Sequence, residues 1–290
     1  MRWLRLTERL RVPLMLFPSI VLLTILFGGG LLVGLGQSFG YFPIIGLTDF
    51  TPNYYLDVLR DPDFFLSLWI TFRIAFLSTF TASVLAVGFA LMLRRSFRGS
   101  RFLTFLFQVP IPIPHLVAAT GIVLLVSQSG LLSRSSVALG LTHVPGDFPV
   151  MVFDEPGTAI QLTFLWKEVP FIGIVVLAVL QGVGPQYEEI AQTLGANRWQ
   201  RFRYVLLPLM LPGILSTSII VFAFVFSSYE IPLLLGVRYP STLPVLAFRN
   251  YQDPDLALRP QAMAMSVILA VIAIALLVAY RRLTKYAVNA

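Results

Sequence analysis

Six apolar runs, each long enough to cross a lipid bilayer, constrain this chain more than any other feature. They lie near Val12–Ser38, Phe64–Leu93, Phe102–Ser127, Thr158–Leu180, Met210–Leu235 and Ala262–Tyr280. A bilayer core of about 30 Å is crossed by about 20 helical residues rising ~1.5 Å each. Inside lipid the backbone has no water to bond, so a spanning segment must satisfy its own N–H and C=O groups as a helix. Charged residues make up only 12% of the 290 residues and hydrophobic ones 57%, where a soluble domain carries about 25% charged residues. The expected fold is therefore an all-α membrane protein with six transmembrane helices and lipid as the solvent for most of its surface.

The formal net charge of +7 is explained by position. Arg2, Arg5, Arg9 and Arg11 precede the first run, and Arg94, Arg95, Arg98 and Arg101 follow the second. Arg198, Arg201 and Arg203 follow the fourth run, and Arg281, Arg282 and Lys285 follow the sixth. Against these fourteen, the alternate loops hold five: Arg60, Arg134, Arg238, Arg249 and Arg259. The positive-inside rule then puts both the N- and C-termini in the cytoplasm. The basic excess is a topology signal, and no nucleic-acid partner is expected. The chain has no cysteine, which excludes disulfides, thiolate metal sites and cysteine nucleophiles. Its first apolar run is too long for a signal peptide and no small-residue cleavage pattern follows, so it is read as a retained span.

The expected organisation has three parts. Residues 1–63 form an N-terminal cytoplasmic segment, the first span and an outer loop; residues 64–282 form a core of spans two to six; residues 283–290 form a cytoplasmic tail. Two outer loops, "QSFGYFPIIGLTDFTPNYYLDVLRDPD" and "GVRYPSTLPVLAFRNYQDPDLALRP", are rich in turn formers and aromatic residues, as at a membrane surface. A third, "SGLLSRSSVALGLTHVPGDFPVMVFDEPG", is apolar enough to lie in the interface. Before the third span, "QVPIPIPHL" sets prolines at 110, 112 and 114. Each lacks a donor and restrains its predecessor, so the chain is expected to be extended there and helical after Pro114. Such a stretch suits an entry turn at the cytoplasmic interface or irregular backbone lining a pathway.

The most polar long stretch is "YEEIAQTLGANRWQRFRYVLLPLMLPG", Tyr187–Gly213. Gly184-Pro185 starts a helix, and Glu188 and Glu189 occupy its first turn, where the dipole favours anions. Tyr187, Ile190, Ala191 and Leu194 share one apolar face. Gly195 suits a left-handed stop, and Asn197 with Gln200 suits a capping box opening a second helix. Trp199, Phe202 and Leu206 form that helix's apolar face, with Arg198 and Arg201 directed elsewhere and Pro208 breaking or kinking the chain. Two short amphipathic helices at a glycine corner, with an acidic leading edge, suit a protein partner better than lipid headgroups.

Glu189-Ile190-Ala191, three residues, Gly195, nine residues, then Val205-Leu206-Leu207-Pro208 resembles EAA–x3–G–x9–I–x–L–P. That is the signature of inner-membrane permease subunits of binding-protein-dependent ABC importers, with Ile190 in place of the middle alanine and Val205 in place of isoleucine. The wider resemblance covers about Phe64 to Arg282 and includes "WKEVPF". It implies that the loop between spans four and five is a coupling helix seated in a groove of an ATPase subunit. The resemblance assigns the coupling role to Glu188, Glu189, Ala191, Gly195, Ala196, Arg198, Phe202 and Pro208. Implied partners are ABC ATPase subunits, a second permease subunit (identical or paralogous), an extracytoplasmic substrate-binding protein and the lipid bilayer. "FSSYEIPLLLG" is similar to permeases of the polyamine, iron, thiamine and phosphonate cluster, which implies a small polar solute such as a polyamine.

The chain itself carries no phosphate-binding loop: its two lysines, Lys167 and Lys285, close no G-x-x-x-x-G-K-[ST] motif. No cofactor, metal site or enzymatic activity is expected, and His115 is read as an interface residue rather than a metal ligand. Arg73, Lys167, Glu168 and Glu230 fall within expected spans, where an unpaired charge costs about 3 kcal/mol. They either pair to lock helices or, with Tyr229, line a translocation path. A secondary transporter or channel working without ATP is the alternative; a membrane enzyme acting on lipids would need a nucleophile, metal cluster or paired acids that the sequence lacks.

Overall fold

The computed structural model describes residues 2–94 and 98–289, with side chains for 12–94 and 98–282. Arg95 lies outside the described residues, and Arg2, Arg5, Arg9, Arg11 and Lys285 outside the described side chains. Among the described residues the regular structure is helical, with one isolated bridge between Phe42 and Leu47. Six segments are long and apolar enough to cross a membrane: Val12–Ser38, Pro62–Leu93, His115–Ala138, Thr158–Val183, Arg198–Ser227 and Leu256–Arg282.

The chain divides into two compact units. The first comprises Met1–Pro62 and Ala247–Ile268. Here α1 (Arg2–Leu23) passes through a π-helical turn at Thr24–Gly28 into α2 (Gly29–Ser38), and α3 (Asn53–Arg60) follows. The first span is almost wholly exposed, with Leu14 at 75%, as expected of a helix solvated by lipid. Its polar end is tied locally: Ser38 Oγ lies 2.7 Å from the Tyr55 hydroxyl. Arg259 stands over the rings of Tyr251 and Phe42, at 5.0 and 5.8 Å.

The second unit comprises Asp63–Leu246 and Leu269–Ala290. It contains α4 (Pro62–Leu93), α5 (Ser100–Gln108), α6 (His115–Val126), α7 (Leu131–Ala138) and α8 (Thr158–Val183). Then come α9 (Gln186–Thr193), α10 (Arg198–Arg201), α11 (Leu207–Ser227) and α12 (Glu230–Leu235). The last two helices, α13 (Leu243–Gln252) and α14 (Arg259–Asn289), each contribute to both units. The core of this unit forms around α8, which packs on α6 and α11 and buries Phe164, Ile172 and Val176. Gly173 lets α5 approach closely, because a Cβ at that position would lie 2.6 Å from Phe107 Cζ. Ser83 and Ser218, with Oγ atoms 2.7 Å apart, join α4 to α11.

Four expectations about individual elements are corrected. The third span begins at His115 rather than Phe102, because the prolines end α5. The proline stretch is turned rather than extended: Ile111 N–H donates to Gln108 O at 3.0 Å and Ile113 N–H to Pro110 O at 3.3 Å. The residues between the prolines keep their donors and close successive turns. The fifth span stops at Ser227, Ser228 is extended, and α12 begins at Glu230. That break places Pro232 in the first turn of a new helix, where a missing N–H is harmless. Pro208 does not break the chain. One helix runs from Arg198 to Ser227, and a π-turn at Phe202–Leu206 rearranges the carbonyls that Pro208 leaves without a donor.

Candidate functional site

The polar loop and a cavity in the second unit gather the residues of interest. In the loop, Gly184 takes φ +73° and α9 starts after Pro185. Gly195 turns the chain at φ +84° with open space around it, so a side chain there is opposed by backbone strain and not by crowding. Asn197 then opens α10 with a reciprocal capping box: Gln200 N–H donates to Asn197 Oδ1 at 2.9 Å, and Asn197 N–H to Gln200 Oε1 at 2.8 Å.

The apolar stripe of α9 points away from the rest of the chain. Tyr187, Ile190 and Leu194 are exposed, Leu194 at 82%. Trp199 is exposed too, its ring 5.5 Å from that of Phe202. Ala191, Ala196 and Phe202 are half-buried, Leu206 is buried, and Arg198 and Pro208 are exposed. Among the described residues nothing covers this ridge of large apolar side chains on its capped, glycine-cornered support, a surface of the kind that marks an interaction site.

The two adjacent glutamates differ. Glu189 is exposed. Glu188 turns inward and meets Arg94 at 2.7 Å and Arg201 at 3.8 Å. Arg201 also donates to Gln192 Oε1 at 2.6 Å. Sequence reasoning directed Arg201 away from the apolar face but did not supply its partners, Gln192 and Glu188. The i, i+4 spacing of Glu188 and Gln192 on one helical face was the available signal.

In the cavity, Lys167 and Glu168 are both buried. The Lys167 ammonium donates to three backbone carbonyls of the proline turn: Pro110 at 2.6 Å, Ile111 at 3.0 Å and Ile113 at 2.5 Å. Prolines at 110, 112 and 114 remove donors from this segment, and the three protons of one ammonium meet two carbonyls left without a backbone donor, of Ile111 and Ile113, and share that of Pro110 with Ile113 N–H. Glu168 Oε1 lies 3.2 Å from His115 Nε2, and the His115 ring packs 4.6 Å from Phe224. Ile111, His115, Lys167, Glu168, Phe171 and Phe224 border a cavity of about 220 Å³. His115, expected as an interface residue rather than a metal ligand, lines this cavity. Phe171 and Phe224 carried no sequence signal beyond ordinary span residues.

The remaining candidates lie apart from this group. Arg73 donates to the carbonyls of Glu155 and Pro156 at 2.7 and 3.4 Å, bracing the loop that enters α8. Tyr229 and Glu230 stand exposed at the break between α11 and α12. No ion pair joins any two of Arg73, Lys167, Glu168 and Glu230. The locking alternative raised from the sequence thus takes another form, in which cations hold backbone carbonyls.

A family described as binding-protein-dependent transport system inner membrane component matches residues 82–288. An inner membrane ABC transporter permease protein of Escherichia coli is 32% identical over 208 residues, 69% of each chain. A trehalose/maltose transport system permease protein of Thermococcus litoralis is 26% identical over 250 residues, covering 84% of this chain and 81% of the relative. A chain from the crystal structure of a bacterial ABC transporter involved in the import of the acidic polysaccharide alginate has the same fold. Its TM-score is 0.81 at 18% identity, over 99% of both chains.

Proposed function

The chain belongs to the family of binding-protein-dependent transport system inner membrane components, and from that premise we propose that its polar loop couples an ABC importer's membrane helices to a separate ATPase. It is a multi-pass permease subunit of the inner membrane. In this reading Tyr187, Ile190, Leu194 and Trp199 fill a groove on the ATPase, and Glu189 at the exposed edge of α9 meets a basic group there. Glu188, Ala191, Gly195, Ala196, Arg198, Phe202 and Pro208 shape and orient the ridge. Both termini and this loop are cytoplasmic. A second permease subunit completes the membrane portion, and a substrate-binding protein delivers solute on the outer side. The single observation that carries the reading is the outward apolar ridge of α9 on a capped and cornered support.

The translocation path runs by the cavity of Glu168 and His115, with Arg73, Lys167, Tyr229 and Glu230 in supporting positions along α4, α8 and α12. A hydrogen-bonding acid–imidazole pair beside the aromatic faces of Phe171 and Phe224 suits a small hydroxyl-bearing solute. It suits a polyamine less well, because the one carboxylate in the cavity wall sits next to the Lys167 ammonium, which repels polycations. The trehalose/maltose relative favours the same choice. A secondary transporter would move solute without ATP and would give the exposed ridge of α9 no task.

The test is purification of the tagged chain with the subunits that accompany it, followed by reconstitution. Glu189→Lys opposes the helix dipole by roughly 0.3–1 kcal/mol, too little to unfold six spans. Gly195→Val adds a left-handed strain of roughly 1–2 kcal/mol. Both variants are expected to insert normally and to lose ATPase co-purification or substrate-stimulated hydrolysis. Wild-type binding and transport in both variants would remove the coupling assignment.

A further inference from the structure

The neighbouring glutamates of α9 are a puzzle that docking alone does not solve, since one faces outward and the other does not. Glu188 Oε2 meets Arg94 Nη2 at 2.7 Å, with both side chains only 19% exposed. Arg94 follows the last residue of α4 and hydrogen-bonds back to Ala90 O. On its other oxygen Glu188 faces Arg201 Nη1 at 3.8 Å, and that same nitrogen is held by Gln192. One carboxylate therefore joins α4, α9 and α10. A charge-assisted contact of this length in a sheltered position is stronger than an exposed surface pair.

We propose that Glu188 is a positioning residue which, through Arg94, fixes the helical loop to the end of α4, so that a displacement of the loop is delivered to that span. The functional half rests on the coupling assignment above; the structural half does not. Division of labour follows: Glu189 addresses the partner, Glu188 addresses the chain's own membrane helix. Without the latch the loop remains joined to the membrane helices through the backbone to α8 and α11, but α4 is released from it.

The absence of cysteine makes a direct test available. Thr193→Cys, at an exposed position on α9 outside the apolar ridge, accepts a nitroxide label in the full chain, purified with whatever subunits accompany it. Glu188→Gln and Arg94→Gln are each expected to increase label mobility. The double variant is expected to be no more mobile than Glu188→Gln alone, because both changes break one contact. Asp253→Asn, in the loop assigned to the opposite side, should leave the label unchanged. In reconstituted vesicles, Arg94→Gln should retain the ATPase subunit yet consume more ATP per solute moved than wild type. Unchanged mobility in both single variants, or additive effects in the double variant, overturns the latch. Altered mobility with unchanged ATP consumption overturns its functional half. If wild type retains no ATPase while the labels behave as expected, the latch stands and the coupling assignment falls.

Discussion

Lys167 shows how far a residue's meaning depends on what the fold brings to it. Its place in an apolar run was legible, and so was the need for compensation. Its partners were not, because they are backbone carbonyls 54 to 57 positions away, and a sequence does not show where unmatched acceptors point. The pairing of His115 with Glu168, 53 positions apart, was invisible for the same reason. Arg73 repeats the theme, donating to carbonyls 82 and 83 positions away. Lys167→Met keeps the apolar stem and removes the ammonium, leaving the Ile111 and Ile113 carbonyls unmet and Pro110 O with only the Ile113 N–H. Each costs about 1–3 kcal/mol, so this variant should show a markedly lower unfolding temperature in detergent. Arg73→Gln, which retains a donor near its carbonyls, should fall much less. Equal losses in both variants would mean that the carbonyl cluster is not what Lys167 supports.

Among elements, the spans were the easiest to read and their interruptions the hardest. Apolar length locates a helix, but its ends depend on which donors are missing and what replaces them. The prolines of 110–114 were read correctly as a break, while the turned conformation depended on the free N–H groups of Ile111 and Ile113. The Ser228 break was missed because Met210–Leu235 was read as one continuous apolar run. In the loop, the glycine corner and the capping box followed from local chemistry, and both stand in the structure. Packing between elements was not legible at all. The approach of α5 to α8 depends on Gly173 lying under the Phe107 ring. Gly173→Val should push that ring away and destabilise the protein by about 1–3 kcal/mol. Adding Phe107→Ala should restore part of the loss, so that the double variant is more stable than the two single effects summed. Thermal unfolding midpoints of the four proteins measure this, and strict additivity would show that the two residues do not oppose each other.

At the scale of the whole molecule, the chain has the parts of a subunit: six spans, no nucleotide-binding motif, and a shaped apolar ridge facing outward. Family membership accounts for the spans, and in the proposed reading the ridge gives the chain a means of receiving work done elsewhere. The central claim, that this ridge touches an ATP-hydrolysing partner, is tested most directly by a photo-cross-linker at Leu194, the most exposed apolar side chain of the ridge. The same cross-linker at Asp253, in a loop assigned to the opposite side, is the control. Irradiation of intact membranes is expected to join the Leu194 position to a nucleotide-binding protein and the Asp253 position to none. Cross-links from Leu194 to lipid alone, or to the ATPase from Asp253, would contradict the account.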